Sequence, residues 1–253
     1  PGYGFLSEND DFARLCEKNK INFIGPSADS MNLCGDKMRC KDAMLKAKVP
    51  TVPGSPGLVN DADEAEKIGN EIGYPVMLKS VYGGGGRGIR IVNTDQELRD
   101  AYETVTAESI AAVGKSAIIV EKFLEKTRHI EYQMCRDHHG NAVHLFEREC
   151  SIQRRNQKLI EQTPSPVVDQ AKREEIGELV VKAAEAVDYT NLGTAEFLRA
   201  DNGEFYFIEI NARLQVEHPI SEMVSGLDFV KLQLDIANGE PLPFKQSDLK
   251  MNG

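Results

Sequence analysis

Residues 208–219 read IEINARLQVEHP, in which Glu209, Asn211, Arg213, Gln215 and Glu217 are polar and Ile208, Ile210, Ala212, Leu214 and Val216 are apolar. Alternation of period two places the five polar side chains on one face of an extended segment, about 6.5 Å apart. A solvent-facing antiparallel strand gives the same pattern. The residue types argue against that reading, because two acids, two amides and an arginine hold metals and anions, whereas surface strands favour Thr, Lys and Ser. Five such residues in a straight strand span about 26 Å, too far for one small site. The segment is therefore expected to bend after roughly Asn211.

Upstream, GTAEFLRA (193–200) and EFYFIEIN (204–211) are joined by Asp201, Asn202 and Gly203, a hairpin signal. Glu196 and Glu209 lie at comparable distances from this turn, so the hairpin makes them cross-strand neighbours. Either acid alone could face solvent. As a pair of like charges in apolar strands they call for a cation between them, and Mg²⁺, which takes oxygen ligands and keeps room for water and phosphate, is the natural candidate.

MLKSVYGGGGRGIRIV (77–92) sets four glycines, Gly83, Gly84, Gly85 and Gly86, between two strand-like runs. Backbone N–H groups of such a loop can approach phosphates closely. The stretch lacks the GK[ST] of a Walker loop, and a strand rather than a Rossmann helix follows it. A flexible hairpin tip would look similar, but Lys79 just before the loop and Arg87 inside it favour a phosphate-closing role. In ECSIQRRNQKLIEQTPSP (149–166), Arg154, Arg155 and Lys158 stand beside Gln153, Asn156 and Gln157. This is either a solvated loop or a binding place for a small planar anion.

The chain of 253 residues is 41% hydrophobic, enough for one large domain or two lobes. Its formal net charge of −10 argues against broad nucleic-acid binding, so an anionic ligand needs local cationic clusters. No apolar run approaches the roughly 20 residues that span a bilayer, and neither a membrane role nor a signal peptide is expected. Five cysteines without a CxxC pair favour neither a disulfide framework nor a thiolate zinc site and fit a reducing compartment. A start without Met and an extended-looking end suggest a piece cut from a longer polypeptide.

Ser7 before acids, Phe12, Leu15 and Cys16 predicts a capped helix, and residues 21–24 a short strand. Residues 36–49 have helical spacing, and TVPGSPG (51–57) is linker chemistry. A helix over 63–72, strands at 75–80 and 88–92, a helix opened by the box Thr94 to Glu97, and a strand at 117–120 form the next unit. Strands follow at 129–137 and 142–150 around the turn HHGN, then a helix over 170–187. Cys150 reads as structural, His218 as a packing or hydrogen-bonding residue, and His138 and His139 as exposed turn residues.

In order along the chain, PGYGFLSEN (1–9), FIGPSA (23–28), GDK (35–37), KSVYGGGGRGIR (79–90), EKFLEKTRHIE (121–131), ECSIQRRNQK (149–158), GTAEFL (193–198) and IEINARLQVEHP resemble the biotin carboxylase family of ATP-grasp enzymes. The resemblance covers the whole chain. It implies an α+β ATP-grasp fold, with a small α/β lid subdomain and a larger antiparallel-sheet subdomain, truncated at both ends. Residues 1–50 would be the remnant of an N-terminal α/β region and a connecting helix, 51–123 the lid subdomain, and 124–253 the C-terminal subdomain with the metal and bicarbonate site.

Carried over position by position, the resemblance assigns Lys37 and Lys79 to the phosphates of ATP, with Gly83 to Gly86 as the lid. Glu121, Lys122 and Leu124 fall on the adenine side, His129, Gln153 and Asn156 on the ribose side. Glu196, Glu209 and Asn211 would hold Mg²⁺ or Mn²⁺. Lys158, Arg213, Gln215 and Val216 would form the bicarbonate pocket, Glu217 would be the general base, and Tyr3 and Gly4 would lie near the biotin ring. The implied reaction is attack of bicarbonate on the γ-phosphate of ATP to give carboxyphosphate, whose CO₂ passes to N1 of biotin. The implied partners are a biotin carboxyl carrier domain, a carboxyltransferase component and, in the full-length protein, a second copy. The implied location is the cytoplasm, or the mitochondrial matrix in a eukaryote.

Two positions depart from the family pattern: Asn156 stands where histidine is frequent, and Tyr82 where a small residue is. An N-terminal α/β region and a biotin-orienting arginine of the family fall outside the chain, so turnover by this piece alone is in question. Another ATP-grasp carbon–nitrogen ligase would share the lysines, glycines and acids, but not SIQRRNQK and RLQVEHP. A nucleotide-binding module without turnover is the third reading.

Overall fold

A computed structural model describes residues 2–81, 88–114, 116–155 and 157–252. The hairpin expected from Asp201, Asn202 and Gly203 is its centre: β7 (Asn191–Arg199) and β8 (Phe205–Asn211) pair antiparallel, Gly203 turns the chain at φ +89°, and Glu196 sits opposite Glu209. With β4 (Arg128–Arg136), β5 (Ala142–Arg154) and β6 (Gln157–Gln162) these strands form an antiparallel sheet in the order β6-β5-β4-β7-β8. The segment expected as a solvated loop or an anion-binding cluster is the β5–β6 hairpin, so Lys158 projects from a strand.

The register shifts once within β7–β8. Glu196 pairs with Glu209 but Phe197 with Phe207, leaving Ile208 as a bulge without an opposite number. The bulge changes the phase of the strand: Phe205 and Phe207 face the core before it, and Ile210 and Ala212 after it. Glu209 would otherwise follow Phe205 and Phe207 into that core.

One face of the sheet buries Ile130, Tyr132, Met134, Ala195 and Phe197. The same core takes in residues of α2 (Ala28–Gly35), α3 (Lys37–Lys46) and the long α6 (Gln170–Ala186). The other face is apolar at one end only, where Cys135, Val143, Leu145 and Leu192 meet Leu214 and α8 (Phe229–Ala237). Its other end carries polar residues and α7 (His218–Ser225).

The first helix, α1 (Asp10–Lys18), is capped by Asn9, whose Oδ1 accepts from Phe12 N at 2.7 Å, and not by Ser7, which is buried. Residues 21–24 form no strand, because no other strand pairs with them. The helix expected over 36–49 is α3, capped by Asp36, whose Oδ1 accepts from Met38 and Arg39 N. In front of it the sequence reading missed α2, which Ser27 caps.

Contacts divide the chain into two compact units, one made of the residues up to Thr51 and from Thr127 on, the other of Val52–Lys126. The second contains α4 (Ala62–Ile72), β1 (Val76–Ser80), β2 (Ile89–Val92), α5 (Asp95–Val113) and β3 (Ile118–Lys122), with sheet order β2-β1-β3. Val76 and Leu78 of β1 pack with Ile118, Val120, Leu98 and Val105 in its own core, which leaves Met77 and Lys79 on the opposite face. Among the described residues no helix is long and apolar enough to cross a membrane.

In the larger unit the His144 ring lies against α6 where Gly177 leaves room; a Cβ there would come within 2.2 Å of His144 Nε2. Gly177→Ala should therefore cost about 1–3 kcal/mol in urea denaturation through overpacking. Burial lowers the His144 pKa to about 4, with Glu147 opposing and Arg173 assisting the shift. The folded value lies below the unfolded one, so the unfolded state binds more protons, and stability present above about pH 6.5 is lost as pH falls toward 4. His144→Phe should remove this component, about 3 kcal/mol, from the pH dependence of the urea midpoint between pH 6.5 and 4.

Candidate functional site

The strand registers align Arg148 with Glu131, Glu131 with Glu196, and Glu196 with Glu209, one rung across β5, β4, β7 and β8. Three carboxylates on adjacent strands repel one another, and two of them, Glu131 and Glu196, are buried. Two cations offset this. Arg148, fully buried, uses all five of its N–H groups. Its Nε donates to Glu131 Oε1 (2.5 Å), Nη1 to Gln133 Oε1 and Ser221 Oγ (2.9 Å each), and Nη2 to Thr194 Oγ1 (3.2 Å) and Gln215 Oε1 (2.8 Å).

Lys158 reaches the rung from β6, and its Nζ donates to Glu131 Oε2, to Glu196 Oε1 at 2.8 Å and to Glu217 Oε1 at 2.9 Å. Burial works against the Lys158 charge, but Glu131 and then Glu196 outweigh it and hold its pKa above the ordinary value. Burial likewise opposes ionisation of Glu196, yet the His129 contact and the Lys158 charge hold its pKa well below the usual range. Glu217 is also lowered, because the Lys158 hydrogen bond and charge outweigh burial. It occupies the N-cap position of α7, where a negative charge is favoured.

Strand β8 ends at Asn211, and the chain turns through residues 212–217 into α7, so the expected bend is present. The turn brings Gln215 and Glu217 back to the rung: Gln215 Nε2 donates to Glu196 Oε1 at 3.2 Å, and Asn211 Nδ2 to the same oxygen at 2.8 Å. Arg213 pairs through Nε with Glu8 Oε2 at 2.8 Å, while Val216 is exposed. His129 Nε2 lies 2.8 Å from Glu196 Oε2. Lys37, the first residue of α3, is 3.4 Å from Glu209 Oε2, and both line a cavity of about 270 Å³ with Glu8 and Asn211.

Lys158, Glu196, Asn211, Gln215, Glu217 and His129 thus converge, with Glu209 and Lys37 adjoining. Gln153 instead bonds the Cys150 carbonyl at 2.8 Å, and Tyr3 is exposed in the N-terminal segment with Gly4. In the smaller unit Lys79 pairs with Glu121 at 2.7 Å, Lys122 Nζ donates to the Gly73 and Tyr74 carbonyls at 2.9 Å each, and Leu124 is half-buried. Gly83 to Gly86, with Tyr82, Arg87 and Asn156, lie outside the described residues.

Among the described residues, potential ligand atoms cluster within 4.8 Å in two groups, His129, Glu131 and Glu196, and Glu131, Cys150 and Glu217. Lys158 Nζ contacts carboxylates of both groups, so an ammonium already offsets part of their charge. Glu209 belongs to neither. Cys150 is buried and its thiol is pushed up by desolvation, in keeping with a structural role. His218 Nδ1 lies 2.7 Å from the Gln215 carbonyl, a hydrogen-bonding role. The sequence reading missed Glu131, Arg148 and Glu8; a signal for the first two was present, since charges recur inside apolar strands in HIEYQMCRD and AVHLFEREC.

Comparison with solved structures assigns this arrangement to the ATP-grasp fold of biotin carboxylases. A biotin carboxylase domain of a thermophilic 2-oxoglutarate carboxylase bound to bicarbonate superposes with a TM-score of 0.94 at 49% identity, covering 100% of this chain and 55% of that one. Campylobacter jejuni biotin carboxylase, in complex with β,γ-ATP, gives 0.90 at 48%, covering 100% and 56%. The sequence pattern described as "Carbamoyl-phosphate synthase L chain, ATP binding domain" matches residues 36–245, and the chain belongs to that family. Residues 1–31 match the N-terminal domain of biotin carboxylase. The 2-oxoglutarate carboxylase small subunit of Hydrogenobacter thermophilus is 52% identical over 100% of this chain and 54% of its own length, and the biotin carboxylase of a Nostoc species 50% over 100% and 57%. The chain spans about half the length of these relatives.

Arg148→Met should destabilise the protein by about 3–5 kcal/mol in urea denaturation at pH 7, because it strands buried partners of the charge. Loss of less than about 1 kcal/mol would mean that Lys158 alone balances the rung.

Proposed function

We propose that the protein catalyses the ATP-dependent carboxylation of biotin with bicarbonate, through carboxyphosphate. The observation that carries this reading is the single ammonium of Lys158 bonded to Glu217 and Glu196 at once, 2.9 and 2.8 Å away, with Arg213 in the adjoining turn. An anion entering beside Lys158 and Arg213 meets two cations and an ionised carboxylate. The cations favour the doubly charged form of bicarbonate, and Glu217 accepts the proton as that form develops. Gln215 and the Val216 backbone border the anion, and Tyr3 and Gly4 the ureido ring of biotin.

For ATP, the family resemblance makes Lys37 and Lys79 the residues that offset phosphate charge, and the unit Val52–Lys126 the small lid subdomain that carries the glycine run Gly83 to Gly86. Glu121, Lys122 and Leu124 serve the adenine, and His129, Gln153 and Asn156 the ribose. The residues fit a divalent cation, Mg²⁺ or Mn²⁺. Glu196 and Glu209 stand opposite each other on paired strands, Glu209 borders the cavity, and Asn211 adds an amide oxygen on the same face. Such an ion supplies neutralisation of phosphate charge during transfer.

The names of relatives support the assembly as well. They include a propionyl-CoA carboxylase alpha chain and a 2-oxoglutarate carboxylase small subunit, and one solved relative is described as a biotin carboxylase domain dimer. A biotin carboxyl carrier domain, a carboxyltransferase component and a second copy are the proposed partners, in the cytoplasm or an organelle matrix. The sequence differences that choose the final carboxyl acceptor belong to the transferase.

In the full-length protein, ATP cleavage should depend on bicarbonate and be stimulated by free biotin. Lys158→Gln and Glu217→Gln should each lower that rate about 100-fold or more. ATP binding without bicarbonate-dependent cleavage in the parent, or parent-like rates in both variants, would overturn the assignment.

A further inference from the structure

The N-terminal segment crosses the end of β8 through one side chain. Glu8 Oε2 accepts from Arg213 Nε at 2.8 Å, and its Oε1 accepts from the Ala212 backbone N–H at 3.0 Å. Glu8 is held on both sides: Ser7 is buried, and Asn9 is locked by capping α1 through Phe12 N. The pair itself is partly exposed, with side-chain exposures of 41% for Glu8 and 22% for Arg213, so it contributes little to stability. Its geometry is more informative. Nε is the one Arg213 donor with a short partner, while Nη1 and Nη2 meet Leu214 O and Asn211 Oδ1 only at 3.4 Å. The two-nitrogen end of the guanidinium is thereby left with donors to spare, the edge that grips a planar oxyanion in bidentate fashion.

We propose that Glu8 is a positioning residue: it grips Arg213 from behind and the chain at Ala212, and so aims the Nη edge at the small carboxylate-like substrate. The proposal rests on the bicarbonate reading above. Glu8 does not touch substrate; it fixes the rotamer of the residue that does, two positions beyond the end of β8 at Asn211.

The test is steady-state kinetics of the full-length protein. Glu8→Gln, which keeps an acceptor for the Ala212 N–H, and Glu8→Ala should raise KM for bicarbonate about tenfold, the scale of one charge-assisted hydrogen bond, with KM for MgATP changed less than twofold. In an Arg213→Gln background, adding Glu8→Gln should change KM for bicarbonate less than twofold, because the partner through which it acts is gone. A bicarbonate KM within twofold of the parent in Glu8→Gln overturns the proposal, as does an equal rise with or without Arg213. If Glu8→Ala does not fold, Glu8→Gln decides. Absence of bicarbonate-dependent ATP cleavage in the parent overturns the functional reading and this inference with it, whereas an active parent with an indifferent Glu8→Gln overturns this inference alone.

Discussion

Arg148 is the point on which the polar half of the sheet depends. A guanidinium out of water is costly unless every donor is met, and here five N–H groups meet five acceptors on β4, β7, α7 and the turn that follows β8. Lysine could not reproduce this, having three donors on one atom. The network joins pieces 15 to 73 residues apart in sequence, so the position of α7 and of the turn before it is set by the same side chain that balances Glu131. Gln215 extends the effect, accepting from Arg148 with its oxygen and donating to Glu196 with its nitrogen.

Around that anchor the charges are arranged for chemistry more than for stability. Hydrophobic residues in the rung would pack as well as buried ion pairs and carry no desolvation cost. The protein instead keeps Glu196 and Glu217 ionised beside Lys158, so that an anion received there would meet both a cation and a carboxylate able to take up a proton. The opposite face of the same strands is an ordinary apolar core, and α8 covers the other end of the polar face. The polar residues thus occupy one end of one face of the sheet, beside the apolar cluster under α8.

Much of this was legible in the residues. The turn of Asp201 to Gly203 fixes the hairpin, hence the pairing of Glu196 with Glu209, and the length of a straight strand against the size of a small site required the bend after Asn211. The motifs carried the family. What stayed hidden depended on which face of a strand is covered, a tertiary fact. Glu131 and Arg148 read as strand charges of unknown exposure until α7 is seen to close over them. The strand character of β6 was masked by its charged turn, and α2 by the Gly25, Pro26 and Ser27 stretch, whose last residue turned out to be a cap. Glu8 acquires meaning only through a contact 205 residues away.

The bulge at Ile208 has a bearing on how this strand tolerates change in length. Its two halves keep opposite parity: odd-numbered residues point to the core before it, even-numbered residues after it. Deleting Ile208 would join Phe207 directly to Glu209 and give a regular strand in which Phe207 and Ile210 still face the core and Glu209 still opposes Glu196. The strand therefore tolerates loss of that residue but not its regular pairing, which would turn Glu209 into the core, so the phase of the ladder at Ile208 decides which face the acid takes.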